Sequence, residues 1–315
     1  MWFAWLMTEC FAQENYPAAV ENIPRQMTLR PMTDDGGQAS QKSPWSYASQ
    51  NVLLDYSYVG GSRVKNGDKD LGNGLDEQVF KFDYQFGIPL SKELFLQLSA
   101  GYHRFDFGFT TGSLTPQNLQ SVNMGLGLGY NVDEKWSVLA SFSPQIQQVN
   151  DWEDSPYVNF IGALVATYKW NRDLTVVFGL TIVPDNTIDV PVLPLAGVRW
   201  AFADKWTLQV GVPQTSIKYA LTDKLNLWSQ ASVDGGTFRT GDDYGDAAGR
   251  PDLNRRKVSY TEVRVGVGAD YELYQGIVLT GEVGSAVYRE FEFKDKDKLK
   301  TDPALLAELG LKFKF

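Results

Sequence analysis

The sequence has one cysteine, Cys10, and one histidine, His103. That count excludes an internal disulfide and a Cys/His zinc site, and no cofactor motif takes their place. So little cysteine is compatible with an oxidising compartment. No window approaches the ~18 uninterrupted apolar residues that a transmembrane helix needs. The best apolar run, Phe160 to Tyr168, is far too short. Positive charge is in deficit as well: the formal net charge is −9, which argues against nucleic acid as a partner.

Aromatics are plentiful at 13%, with 15 Tyr and 9 Trp, beside 29 Gly. That mixture suits β-strands and membrane-interface girdles. Mean hydropathy is slightly negative, but a β-barrel shows lipid only every second residue, so this does not oppose membrane insertion. At 315 residues the chain is long enough for one large all-β domain or two ordinary ones.

Residues 1–12, ending in the small Ala12, resemble a truncated signal peptide without its basic region; the alternative is an apolar tail. Lipid attachment at Cys10 is disfavoured by Thr8-Glu9 before it. Residues 13–46 carry Pro17, Pro24, Pro31, Pro44 and Gly36-Gly37 without periodicity, which predicts a linker or periplasmic arm that could fold back as a plug.

From residue 47 to 315, strand-like runs alternate with two kinds of connection. Short ones begin at Leu90-Ser91, Val132-Asp133, Trp170-Asn171, Phe202-Ala203 and Leu221-Thr222, with a looser one at Leu273-Tyr274. Each is a polar tetrapeptide, and most run straight into an apolar residue. Long, charged ones fall at 61–76, 110–117, 149–157, 184–190, 238–255 and 294–302. Tight periplasmic turns taking turns with long extracellular loops predict an antiparallel transmembrane β-barrel.

Between the turns the period is two. Phe80, Phe82, Tyr84 and Phe86 oppose Lys81, Asp83 and Gln85; Val263, Val265 and Val267 oppose Glu262, Arg264 and Gly266. The small, Gly-rich polar parity suits a lumen, and Tyr130, Trp136, Trp170, Trp200 and Trp206 beside the tight turns suit an interface belt. Fourteen strands are predicted, or twelve spanning ones if the short pair at 206–221 lines only the rim. Phe105, Phe107 and Phe109 change parity relative to Leu94–Tyr102, which predicts a bulge near His103 that carries them into an outer aromatic girdle.

From about Gly197, the text GVRWAFADKWTLQVGVPQTSIKYALTDKLNLWSQASVDGGTF, then SYTEVRVGVGADYEL and AVYREFEF, resembles an uncharacterised family of bacterial outer-membrane β-barrel domains, a domain of unknown function. The resemblance implies fold and location, with no activity, substrate or catalytic residue to carry over. The last strand, with Leu311, Phe313 and Phe315 on one parity, also resembles the terminal signal read by the barrel assembly machinery.

The charged residues on the lumen parity are Asp55, Lys81, Asp83, Arg199, Lys218, Glu262, Arg264, Asp270, Glu282 and Glu290. In a confined space they must pair or be hydrated. They form either a salt-bridge network that stiffens or plugs the lumen, or a charged constriction that filters solutes. His103 has no second His and no His-x-Ser arrangement beside it, so a hydrogen-bonded lumen or rim histidine is expected and no catalytic residue is assigned. The loop at 238–257 mixes Asp242, Asp243, Asp246 and Asp252 with Arg239, Arg250, Arg255 and Arg256; it is a hydrated loop or a contact for calcium or lipopolysaccharide phosphates. The sequence thus predicts a bacterial outer-membrane barrel in contact with lipid and lipopolysaccharide. The function expected is a passive channel or transporter for small solutes; the alternatives are a non-conducting structural or adhesion barrel and, third, a lipid-modifying enzyme.

Overall fold

The computed structural model of the chain describes residues 49–67, 69–109, 115–150, 158–183, 192–246, 249–293 and 298–314. The segments 1–12 and 13–46, much of four long connections and Phe315 lie outside the described residues. Strands β1 (Ser49–Asn66), β2 (Lys69–Pro89), β3 (Leu94–Gly108), β4 (Asn118–Asn131) and β5 (Trp136–Val149) come first. Shorter ones follow: β6 (Val158–Lys169), β7 (Leu174–Ile182), β8 (Val192–Ala203), β9 (Trp206–Gly211) and β10 (Gln214–Ala220). The chain returns to long strands with β11 (Leu225–Arg239), β12 (Lys257–Tyr274) and β13 (Ile277–Phe293), then β14 (Lys298–Thr301) and β15 (Ala304–Lys314). β14 and β15 are one stave interrupted at Asp302-Pro303, since both lie between β13 and β1. The result is a closed antiparallel barrel of fourteen staves, so no edge faces lipid at the level where all of them are present.

Four of the six tight turns share one mechanism. The second residue of the tetrapeptide turns its side-chain oxygen back onto two backbone amides. Asp133 accepts from Lys135 and Trp136, each at 2.7 Å; Asn171 accepts from Asp173 and Leu174; Ser91 and Thr222 repeat the pattern. This is why those positions are Ser, Asp, Asn or Thr. Above these turns an aromatic band includes Trp136 and Tyr168, whose ring centroids are 4.5 Å apart, and Trp206 and Tyr219 at 4.7 Å.

The outward parity is apolar and exposed: Met124 is 65% accessible and Leu305 81%, with Leu128, Leu164, Leu180, Val267 and Val283 around the same belt. Such a surface is stable only against hydrocarbon. The protein is a transmembrane β-barrel.

The long strands rise beyond this belt, and there the pattern inverts. On β3, Leu96, Leu98 and Tyr102 face outward below, whereas Phe105 and Phe107 are buried inside above. The register of β3 with β2 and β4 is continuous through His103, so the expected bulge is absent and the phenylalanines do not join an outer girdle. Their parity changes because the surroundings change: outside the membrane the apolar residues turn inward and charges turn outward. On that outer face Arg104 pairs with Asp106 (2.7 Å), Lys65 with Asp302 (2.6 Å) and Lys298 with Glu292 (2.6 Å). The connection expected at 61–76 is therefore mostly strand, with β1 running to Asn66 and β2 starting at Lys69.

The tall staves close on themselves. Above the short strands β6–β10, Gln148 of β5 pairs in parallel with Arg239 of β11. The upper ring holds β1–β5, β11–β13 and β14, nine strands. In an odd ring of otherwise alternating strands one neighbouring pair has to be parallel. Between its last rung on β10 and its rung on β5, β11 passes through Gly235 at φ +126°, where a β-carbon would collide with the Tyr260 carbonyl. The interior of this collar is packed solid. Phe107 meets Tyr260 and Phe291 edge-on at 5.3 and 5.0 Å, and Leu253, from the 3₁₀ turn Pro251–Leu253, caps the cluster.

The fold predicts how a turn responds to mutation and pH. Two amide donors hold the Asp133 carboxyl below its ordinary 3.8. Its stabilisation is thus full above that value and lost as pH falls through the lowered folded value. Asp133→Ala is expected to lower thermal stability at pH 7, while Asp133→Asn keeps most of it, because Asn171 does the same work in a sister turn. Melting curves of both variants at pH 7 and pH 3 test this; equal loss in the two at pH 7 would contradict it.

Candidate functional site: the layered lumen

Beneath the collar the inward parity becomes charged. Arg289 (β13) and Glu77 (β2), both wholly buried, pair at 3.2 Å, and Arg289 also donates to Ser62 at 2.6 Å. The Tyr260 hydroxyl lies 2.7 Å from Glu77 and 3.1 Å from Glu262. Glu262 in turn pairs with Arg264, which reaches Glu308 at 3.0 Å and Ser57 at 3.3 Å. Lys81 pairs with Asp234 across the same level. Charges this deep stay only because each finds a partner.

Lower down, two groups divide the lumen. On the β10–β13 side Asp270 accepts from Trp228 (3.1 Å) and Thr280 (3.0 Å) and pairs with Lys218 (3.3 Å), and Gln230 donates to Glu282 (2.7 Å). Trp228 lies over Gly268, so side chains fill this half. On the β1–β6 side there is an open-mouthed cavity of roughly 110 Å³, running down to Asn51 and Lys314, the lowest described rung of the β1–β15 pair. Its two walls differ. Leu139, Ile161, Ala163 and Val165 make one; Ser99, Asn123, Asp83 and His103 make the other. His103 Nε2 is 3.0 Å from Asp83, and no serine hydroxyl is hydrogen-bonded to His103 among the described residues.

Of the ten charged residues expected on the lumen parity, nine face inward. Asp55 leans over Gly310, and Arg199 lies on the inward parity of β8. Glu290 is the exception. β13 carries a bulge that leaves Val287 unpaired between the rungs Arg264–Ala286 and Val263–Tyr288. Beyond it the parity slips, so Arg289 points inward and Glu290 faces out, 3.4 Å from Lys300. Arg289 was hidden for that reason. Glu77, Asp234, Glu308 and Lys312 lie on inward parities that period two alone identifies. Leu311 and Phe313 face the belt beside β1. In the 240–256 loop Arg255 pairs with Asp242, Arg250 with Asp252 (2.9 Å), and Thr240 donates to the Leu253 carbonyl (2.7 Å). Its charges serve a folded cap. No group of metal-ligating side chains stands together among the described residues.

Among the described residues the side wall is incomplete. β8 pairs with β9 only up to Gly197–Gly211, and β10 with β11 only up to Gln214–Ser232. Above that hairpin Val192–Ala196 and Asp234–Phe238 have no strand partner on these sides among the described residues. The gap lies below the Gln148–Arg239 bridge, at a level where β8 still shows lipid-facing Val192 and Pro194.

A family model described as "Domain of unknown function (DUF6268)" matches residues 45–301. Among solved structures, a Pseudomonas aeruginosa FadL homologue is similar at TM-score 0.49 and 8% identity, covering 84% of this chain and 90% of that one. An outer membrane channel from Pseudomonas putida F1 is similar at TM-score 0.43 and 12% identity, covering 85% and 95%. The Pseudomonas putida toluene transporter TodX gives TM-score 0.43 and 11% identity, covering 85% and 90%. No curated protein matches the chain.

The ion cluster has its own signature. Arg289→Met leaves Glu77 buried without its cation and is expected to cost about 3–5 kcal/mol in urea unfolding from lipid vesicles. The double variant Arg289→Met/Glu77→Leu should recover most of that loss. A double variant no better than Arg289→Met alone would mean that the cluster is held by more than this pair.

Proposed function

The chain belongs to the family described as domain of unknown function DUF6268, and we propose that its barrel is a passive passage for small, mainly apolar solutes, entered from the side rather than along the axis. The observation that carries this reading is the collar. An axial route would have to cross the Phe105–Phe107–Tyr260–Phe291 cluster and the buried Arg289–Glu77 pair. Two further features support it: the wall above the β9–β10 hairpin lacks ladder partners, and the inner faces of β6–β8 are lined by Ile161, Val165, Val177, Val183, Leu193 and Leu195. An apolar solute gains little from a charged axial pore and loses little on an aliphatic surface. A second reading, a structural barrel that passes nothing, draws on the density of the same ion cluster.

In planar bilayers the wild-type barrel is expected to be electrically silent, while Phe107→Ala/Phe291→Ala, which hollows the collar, shows steady ion steps. Cells producing the wild type should admit the apolar dye N-phenyl-1-naphthylamine faster than cells without it, with entry of the hydrophilic nitrocefin unchanged. Wild-type ion steps, or faster nitrocefin entry, would replace this reading with an axial pore. No change for either probe would leave the structural barrel.

A further inference from the structure

The cavity on the β1–β6 side is large enough for a ligand and asymmetric enough to select one. The aliphatic part of its β5–β6 wall, Leu139, Ile161, Ala163 and Val165, offers no side-chain hydrogen bond, and Ser141 and Ser143 of β5 border it. On the opposite wall Asp83 is only partly used. Both its oxygens sit near a single His103 nitrogen, at 3.0 and 3.2 Å, and its side chain keeps 30% of its exposure. An ionised carboxylate accepts about four hydrogen bonds, so it retains capacity toward the cavity. Gly101 lies between Asp83 and Asn123, and a β-carbon there would crowd both side chains. Its bareness lets the Asn123 amide and the Asp83 carboxylate converge, a donor and an acceptor side by side.

We infer that this cavity binds a small neutral amphipath: an aliphatic body laid on the β5–β6 wall and one hydroxyl that donates to Asp83 and accepts from Asn123. The polarity of the head follows from its neighbours. A carboxylate would be drawn to Lys312 and Lys314 at the mouth, and at the polar wall it would face Asp83 with His103 already turned to that same residue. An ammonium would pass Lys312 and Lys314 at the cavity mouth and then meet His103. A hydroxyl avoids both conflicts, and losing it would leave the polar pair without a partner in a confined space. The inference rests on the passage proposed above and names its solute class, but binding can be measured without transport.

The test uses three probes with one chain length: 1-octanol, octanoate and octylamine. Each is titrated calorimetrically into the full-length barrel in nanodiscs, with empty nanodiscs subtracted. Octanol is expected to bind saturably, and the two charged probes about tenfold more weakly or worse. Asp83→Asn should weaken octanol and improve octanoate, closing the gap between them. Ala163→Trp, which fills the aliphatic wall, should abolish octanol binding while heat-modifiable gel mobility reports a folded barrel. Equal affinity for octanol and octanoate, or octanol heats unchanged by Ala163→Trp, would overturn the inference. Saturable octanol binding without dye entry into cells would keep the site and remove the passage; dye entry without saturable binding would do the reverse.

Discussion

Each long strand of this barrel leaves hydrocarbon and enters water, and at that crossing its apolar face must change sides. A β-strand has two faces and a fixed period, so the exchange is written directly in the side chains. β12 shows it most plainly. Val263, Val265, Val267 and Ala269 face lipid, while Val258 and Tyr260, on the other parity, enter the collar core. β2 does the same with Phe80, Phe82, Tyr84, Phe86 and Ile88 outside and Val79 and Leu75 inside. Because the lipid-facing run on β12 is close to the roughly 9–11 residues that a tilted strand needs to span, the remaining length of an 18-residue strand is extramembrane by arithmetic.

The layers follow from that exchange. Where nine staves close together, the interior is small enough for side chains to fill it, and aromatic rings do so. Where fourteen staves stand, the interior is too wide to fill with one shell. It divides into a packed half around Trp228 and a hollow half beside Ile161 and Val165. The buried ions lie at the boundary, where strands of the narrow ring meet those of the wide one and where bulges at β1 and β13 adjust the register.

Much of this was legible in the sequence, for local reasons. The stereotyped turns announce themselves, since Ser91, Asp133, Asn171 and Thr222 are the residues whose side chains can hold two amides. Alternation placed Lys81, Asp83, Glu262 and Arg264 on the inner face because those stretches run in register. The parity change at Phe105 was visible too, but its cause was not: a bulge and a change of solvent give the same pattern of letters, and only the ladder separates them. Glu290 failed for the converse reason. There the register does slip, at Val287, and valine carries no mark of a bulge. The collar itself was out of reach, since the pairing of Gln148 with Arg239 is a relation between distant segments that no local period encodes.

That bridge has a consequence for assembly. Its two residues are 91 positions apart in the chain, and all five short strands lie between them. Neighbouring hairpins can form as soon as each turn is made, but this contact waits until the intervening strands are in place. Long-range closure of this kind is entropically late. The collar therefore cannot become watertight before β6–β10 are in place, however early the hairpins that flank it have formed.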